Sequence, residues 1–476
     1  MLLRNNSIVV GLLVSSDTVL LGSPDLPTAV ASGKHKDDDK NDKDDNRPTD
    51  RALSIDELFV KVTKKHPEFG GMFIDEDEDT IFVYLLDGDL DAVVKKLKKV
   101  FGEENLPQRN AEVLEAKYSF LQLKKWHDRL AERVFQIPEV HLTDINDETN
   151  RLTVGIENLD ARGRVEEQLE ALGIPIEAVE IEEIGPFQLE QQPVPVPTPT
   201  PPPPPSFPSP PSCTDAESIN DRCRPLVGGL QIDFSLGIAT LGFIAEREDV
   251  QGFVTNSHNS TMQGEPDGTV YSQPLSGSNN QIGIETIDPD FQDFFCPIPL
   301  LCRASDSNFS VLNEGVSAAG LGYIARPNVL NTEEVSCFDL NQNNEIVPTN
   351  PEFCAWDGES TFRITAEELV FVGTQVTKVG QRTGMTEGLV LRIELRARQE
   401  GNIILPFQAM ADYASADGDS GSSVIRGWGP YPNSNPVNTA LLGIHWGAGT
   451  SAVFSYIRSV EFDLGSLNTC APPIQC

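Results

Sequence analysis

Between Leu53 and Phe187 the apolar positions switch between helical and strand spacing. Ser54-x-x-Glu57 has the form of a capping box, and Leu58, Val62 and His66 continue one helical face after it. Two later stretches share a layout. Residues 72–75 and 80–84 followed by 90–100 read strand, acidic turn, strand, helix, and residues 140–144 and 150–154 followed by 159–172 read the same way. The pattern predicts a duplicated α+β unit within residues 51–190. Neither copy is arranged like an active site. The turn acids read as solvated hairpin tips, because a calcium loop needs alternating carboxylates and a glycine that are absent here.

Beyond Cys213 the chain breaks into short apolar or alternating runs separated by Gly, Asn, Asp and Pro. The runs are 230–232, 237–244, 251–255, 310–312, 374–379, 389–395, 422–425, 440–444 and 452–457, and helical periodicity is nearly absent. Many short strands over residues 213–476 predict an all-β barrel or sandwich. Between the two parts, 12 of the 19 residues from Pro193 to Pro211 are proline. Residues 191–212 are therefore expected to be a linker whose stretch from Pro193 to Pro211 forms a semi-rigid polyproline spacer of about 60 Å, at ~3.1 Å per residue. Residues 1–50 read as a leader: Arg4, the apolar run 8–14 and Ala29-Val30-Ala31 have the form of an export signal, and the charge run 34–47 cannot bury apolar surface.

Charge and cysteines narrow the function classes. The 476 residues carry a formal charge of −36, split −17 before Cys213 and −19 from it onward, so nucleic acid and anionic membrane are poor partners. No stretch approaches the roughly 18 apolar residues of a membrane span. All eight cysteines (Cys213, Cys223, Cys296, Cys302, Cys337, Cys354, Cys470 and Cys476) lie in the C-terminal part as four sequence-neighbouring pairs. That arrangement predicts disulfides and an oxidising, extracellular compartment. Zinc fits poorly: there is no C-x-x-C, and no paired histidine spacing for a metal-dependent hydrolase. No cofactor or metal is expected.

The run Asp417-Gly418-Asp419-Ser420-Gly421-Ser422 has the chemistry of a nucleophile turn. Its glycines permit strained backbone angles, so that the N–H groups of Gly418 and Ser420 can converge as an oxyanion hole. A serine nucleophile needs an imidazole base, and the cysteine-rich part has two histidines. His258 follows an apolar strand into a small-residue turn and suits the base; His445 lies inside an apolar strand end and reads as structural.

Taken in order, Gly252-Phe-Val-Thr-Asn-Ser-His258, Ser305-Asp306-Ser-Asn-Phe-Ser-Val-Leu312, Val379-Gly-Gln-Arg-Thr-Gly-Met-Thr-Glu-Gly388, Gly418-Asp-Ser-Gly421 and Gly443-Ile-His-Trp-Gly447 resemble the chymotrypsin-like serine peptidases. They are more similar still to the bacterial branch of α-lytic protease and the streptogrisins. The resemblance implies a double β-barrel with the site between the barrels, Ser420 as nucleophile, His258 as general base and Asp306 as the orienting carboxylate. Asp288, Asp290 and Asp293 also lie between His258 and Ser420, but only Asp306 runs straight into a strand. The resemblance further implies a substrate pocket at Ala414, Asp417, Trp446 and Gly447. With Ala414 at its base, an apolar or aromatic side chain is the expected occupant. Residues 51–190 have the place and size of the pro-segment of such enzymes, making the chain a secreted zymogen whose partners are its own pro-segment and protein or peptide substrates. In animal relatives a freed amine such as one at Val227 pairs with the acid before the nucleophile, here Asp419; in bacterial ones an internal arginine does so, which places processing in or near the proline-rich linker.

Three departures stand out: Asn259 where relatives have a cysteine, Ser422 in place of a glycine, and His445 where a small residue usually lies close to the triad carboxylate. They keep open a second reading, a catalytically inactive protease-like binding or adhesion module.

Overall fold

A computed structural model of the chain describes residues 54–75, 79–102, 105–106, 109–190, 192–193, 213–277, 279–291, 300–341, 346–427 and 434–476. The expected leader, most of the proline-rich linker, Asp293 and Cys296 lie outside these residues. The capping box forms as read: Ser54 N–H donates to Glu57 Oε2 at 2.9 Å and Glu57 N–H to Ser54 Oγ at 3.2 Å, opening helix α1 (Ile55–Thr63). The helix stops before His66, which instead bonds Glu68.

The duplication is larger than the spacing predicted. One copy is α1, β1 (Phe69–Asp75), β2 (Thr80–Leu85), α2 (Leu90–Phe101) and β3 (Asn110–Glu115). The other is α3 (Phe120–Val134), β4 (Val140–Asn146), β5 (Arg151–Ile156), α4 (Arg162–Leu172) and β6 (Val179–Glu183). In each, the first two strands pair antiparallel and the third adds in parallel. Asn150, in the second hairpin turn at φ 53°, locks the copies together: its amide donates to the carbonyls of Gly70 and Tyr118, and its Oδ1 accepts from Lys117 and Tyr118 N–H at 2.7–2.9 Å.

Residues 213–476 are mostly β. Strands 231–234, 237–240, 243–247, 250–255, 270–272, 281–287 and 308–312 share one sheet. A second is built on strands 375–380, 384–399, 403–411, 423–426, 437–448 and 452–456, with a closing helix at Ile457–Leu464 that the apolar pattern did not announce. Each of the nine apolar runs overlaps a strand, with 237–244 broken at Leu241-Gly242 and 452–457 passing into the closing helix at Ile457. A Cβ on Gly242 would lie 2.7 Å from the carbonyl oxygens of Gly421 and Val254, so the backbone turns in where the two sheets meet.

The core does not stop at the linker. Val93, Phe101, Phe120 and Leu152 pack in one apolar cluster with Val370, Phe371, Val372 and Ile393. Strand β4 continues the second sheet by pairing antiparallel with the long strand Gly384–Gln399, Thr143 opposite Arg396 and Leu142 opposite Ala397. Arg392 on that strand bonds Asp144 at 3.1 Å and Glu182 at 2.8 Å. The acids near the second hairpin turn thus differ from the solvated tips expected of them: Asp144 and Asp147 are buried, because the turn faces the C-terminal part rather than water. Cys213–Cys223, Cys337–Cys354 and Cys470–Cys476 are bonded as sequence neighbours, and Cys302 is also in a disulfide. Among the described residues no helix is long and apolar enough to cross a membrane.

Candidate active site

His258 and Asp306 come from adjacent strands. Strand Val250–Thr255 runs into a short turn at Ser257–Asn259 that carries His258, and Asp306 precedes strand Asn308–Leu312, which pairs with the first so that Thr255 faces Asn308. Two side-chain amides clamp the strand ends: Asn256 donates to the Asp306 carbonyl at 2.6 Å and Asn308 to the Asn256 carbonyl at 2.8 Å. Ser420 lies in the turn before strand Ser423–Arg426. That turn is stitched to the other sheet by Thr240, whose N–H donates to the Ser420 carbonyl at 2.9 Å and whose hydroxyl donates to the Gly418 carbonyl at 3.0 Å.

The three side chains meet in a line. Asp306 Oδ2 lies 2.6 Å from His258 Nδ1, and His258 Nε2 lies 2.8 Å from Ser420 Oγ. Asp306 also accepts from His258 N–H at 3.0 Å and from Gln399 Nε2 at 2.6 Å. Burial pushes its carboxyl up, but His258, its hydrogen bonds and Arg303 outweigh that and hold it below the usual carboxylate range. An ionised carboxylate only accepts, so Nδ1 carries the hydrogen and Nε2 is left to accept from Ser420.

The other aspartates go elsewhere. Asp288 accepts from Ser257 Oγ at 2.8 Å and pairs with Arg303 at 2.5 Å, bracing the turn beneath His258, and Asp290 is exposed. Asp419 accepts from Lys378 Nζ at 2.8 Å, Thr383 Oγ1 at 2.7 Å and Arg382 N–H at 2.9 Å. The cation beside it is therefore a lysine, where an arginine or a freed amine was expected, and Thr383 explains why a threonine-glycine run belongs there. Asn259 donates to the Ser420 carbonyl at 3.3 Å and Ser422 Oγ to the Asp419 carbonyl at 2.5 Å, so both departures brace the turn that carries Ser420.

Polar groups surround the residues expected to line a pocket. Gly418, at φ 109°, donates its N–H to the carbonyl oxygen of Glu190 at 2.6 Å. The Glu190 side chain is buried, its Oε1 2.8 Å from Ser415 Oγ and its Oε2 2.8 Å from His445 Nε2. His445 thus bonds Glu190 through Nε2, and its Nδ1 lies 3.1 Å from the hydroxyl of Tyr413. Ala414 offers its carbonyl to Thr386 at 2.8 Å, and Asp417 is exposed. Trp446 is fully buried, its carbonyl oxygen lying 3.2 Å from Ser420 Oγ, and Gly447 pairs with Leu189. A lone imidazole in an apolar run looks like core filler in sequence; its partner lies 255 residues away. Glu190, Ser415, Tyr413, Gln399 and Lys378 carry no motif that singles them out. The only hint was the unusual His445 itself.

No protein-family model and no curated protein matches this chain. Among solved structures it is similar to a glutamic acid specific serine protease that uses a histidine triad in substrate binding, at 18% identity and TM-score 0.32 over 50% of this chain and 96% of that one. Thermobifida fusca protease A is similar at 15% identity and TM-score 0.32, covering 52% of this chain and 98% of that one. The Nocardiopsis protease NAPase is similar at 16% identity and TM-score 0.32, covering 50% and 94%. Likeness this remote leaves the chemistry to the residues themselves.

Proposed function

We propose that this chain is a secreted serine endopeptidase made as a zymogen, with residues 51–190 as its pro-segment, the proline-rich stretch 191–212 as linker and residues 213–476 as a chymotrypsin-like double-barrel protease. The observation that carries the reading is the line from Asp306 through His258 to Ser420, with contacts of 2.6 and 2.8 Å. In this mechanism His258 takes the Ser420 proton as Oγ attacks a substrate carbonyl, and Asp306 steadies the imidazolium that forms. The N–H groups of Gly418 and Ser420 meet the developing oxyanion, an interaction worth about 3–4 kcal/mol per donor in such sites. His258 then protonates the leaving amine, and water releases the acyl group by the reverse path. The disulfides fit export to an oxidising compartment.

The core shared between residues 54–190 and the C-terminal part supports the pro-segment role. A fold dominated by non-local strand pairs forms slowly, and a preformed sheet edge at β4 offers it a template. Reaction with a fluorophosphonate tests the central claim. Label is expected on Ser420 and is lost in Ser420→Ala and His258→Ala; a folded, processed protein that takes up no label overturns it.

A further inference from the structure

The segment that leaves the second repeat crosses the cleft beside Ser420. Gln188–Leu189 adds antiparallel to the edge of strand Val437–Ala448, with Leu189 opposite Gly447 and Gln188 opposite Ala448. Gln192–Pro193 then pairs with strand Gly237–Thr240 of the other sheet. A Cβ on Gly447 would lie 2.3 Å from the Gln188 carbonyl oxygen, so only glycine lets the segment this close. Phe187 anchors it, packing edge-on against Trp446 at 6.0 Å. Extended backbone on both sides, with the Glu190 carbonyl on the Gly418 N–H at 2.6 Å, is how a peptide substrate lies when the bond after Glu190 is the one to be cut.

The pocket is built for the side chain it holds. The carboxylate accepts from Ser415 Oγ and His445 Nε2, both at 2.8 Å. Since it can only accept, Nε2 bears the hydrogen and Nδ1 faces the Tyr413 hydroxyl. Burial and the charges of Glu190 and Asp419 push the Tyr413 phenol well above its usual range, so it keeps its proton beside Nδ1. The imidazole, held from behind by Tyr413, thus presents the Nε2 N–H to the pocket. An apolar side chain in its place would leave two buried donors unpaired, and a lysine would meet donors only in His445.

We propose that this is a glutamate pocket, that His445 and Ser415 are its specificity-determining residues, and that the bond after Glu190 is the enzyme's own first substrate. The inference rests on the serine-peptidase reading above. Ser420 Oγ bonds to the Glu190 carbonyl carbon as its proton passes to His258; the C–N bond to residue 191 breaks, and that nitrogen takes the proton. One water then hydrolyses the ester, regenerating Ser420 and leaving Glu190 as a new C-terminus seated in the cleft, where it blocks other substrates until the pro-segment departs.

The test uses the full chain as wild type and as Ser420→Ala, Glu190→Lys, His445→Leu and Ser415→Ala, read by intact mass, fluorophosphonate labelling and fluorogenic peptides with Glu, Leu, Phe or Lys before the scissile bond. Wild type should split after Glu190 and cut Glu peptides ~100-fold faster than the others. Ser420→Ala and Glu190→Lys should remain uncut at that bond. His445→Leu should split after Glu190 and cut Glu peptides about 100-fold more slowly than wild type, and Ser415→Ala, which leaves the imidazole in place, about 10-fold more slowly. Labelling at Ser420 with Leu, Phe or Lys peptides cut as fast as Glu, or cleavage at another bond, overturns the glutamate pocket alone. A wild-type chain that neither labels nor cleaves brings down the peptidase reading and this proposal together.

Discussion

His258 and His445 are both buried imidazoles with a carboxylate on one ring nitrogen and a hydroxyl on the other, and they differ in where the carboxylate comes from. The partner of His258 is Asp306, 48 residues on and on the neighbouring strand, held by the His258 amide and Gln399 as well as by the ring. The partner of His445 is Glu190, brought in by a segment that pairs with one strand of each sheet and gripped at its carboxylate by Ser415 and His445. A fixed partner sets a tautomer for good and suits a base. A partner that arrives on an extended strand marks a place where side chains come and go. In both, a hydroxyl lies on the far nitrogen: in the proposed mechanism Ser420 is the group acted on, whereas Tyr413 only orients.

If the fixed partner matters this way, Asp306→Asn should lower kcat by about 10⁴-fold with the fold intact by circular dichroism, because the amide favours the wrong tautomer. A smaller loss would place His258 among structural histidines. Lys378→Met leaves Asp419 buried without its cation beneath the nucleophile turn, and should cost roughly 3–5 kcal/mol in denaturant unfolding. On the pocket side, Tyr413→Phe should reduce kcat/KM for Glu peptides about 10-fold while leaving fluorophosphonate labelling unchanged. Equal loss in both assays would show that the two histidines do not work separately.

The smallest expected effect concerns pH, at the contact between α1 and strand Gly384–Gln399. Burial raises Asp56 to about 7, with Lys124 and Arg396 lowering it and Asp128 and Asp144 raising it; burial and Asp56 raise Glu394 to about 8. Glu394 accepts the Ile55 N–H at 3.0 Å. Both acids hold protons when folded at pH values where the unfolded chain has released them. Their contribution to stability is therefore complete below the ordinary carboxyl range and declines as pH rises through 7 to 8. Thermal unfolding of the uncut Ser420→Ala chain should show a lower midpoint at pH 9 than at pH 6. In Asp56→Asn with Glu394→Gln the difference should shrink.

Much of the catalytic line was legible because its parts are local. A strand ending at Thr255, a turn at His258, an aspartate leading into Asn308–Leu312 and a glycine-flanked serine each show within a few residues, and the two sheets bring their ends together. The repeat was legible where strand and helix alternate, but its third strands and the helices α1 and α3 were not seen as parts of the unit. The acids at Asp144 and Asp147 misled, because a turn rich in carboxylates looks solvated until Arg392 is brought across from another part of the chain. His445 misled for a related reason: an imidazole between Ile444 and Trp446 has the pattern of a core strand whether or not a ligand reaches it.

By itself the sequence determined the elements and their order: alternating strands, the capped helix at Ser54, the disulfide neighbours and the turn that exposes Ser420 to a base. These depend on backbone preference and short-range spacing, which nearby residues dictate. Only the tertiary structure decided which of 72 acidic residues enters the pocket. Nothing near Glu190 distinguishes it. It is chosen because Phe187 lodges against Trp446, an unpaired strand edge accepts Gln188–Leu189, and the carboxylate that follows then meets His445 and Ser415.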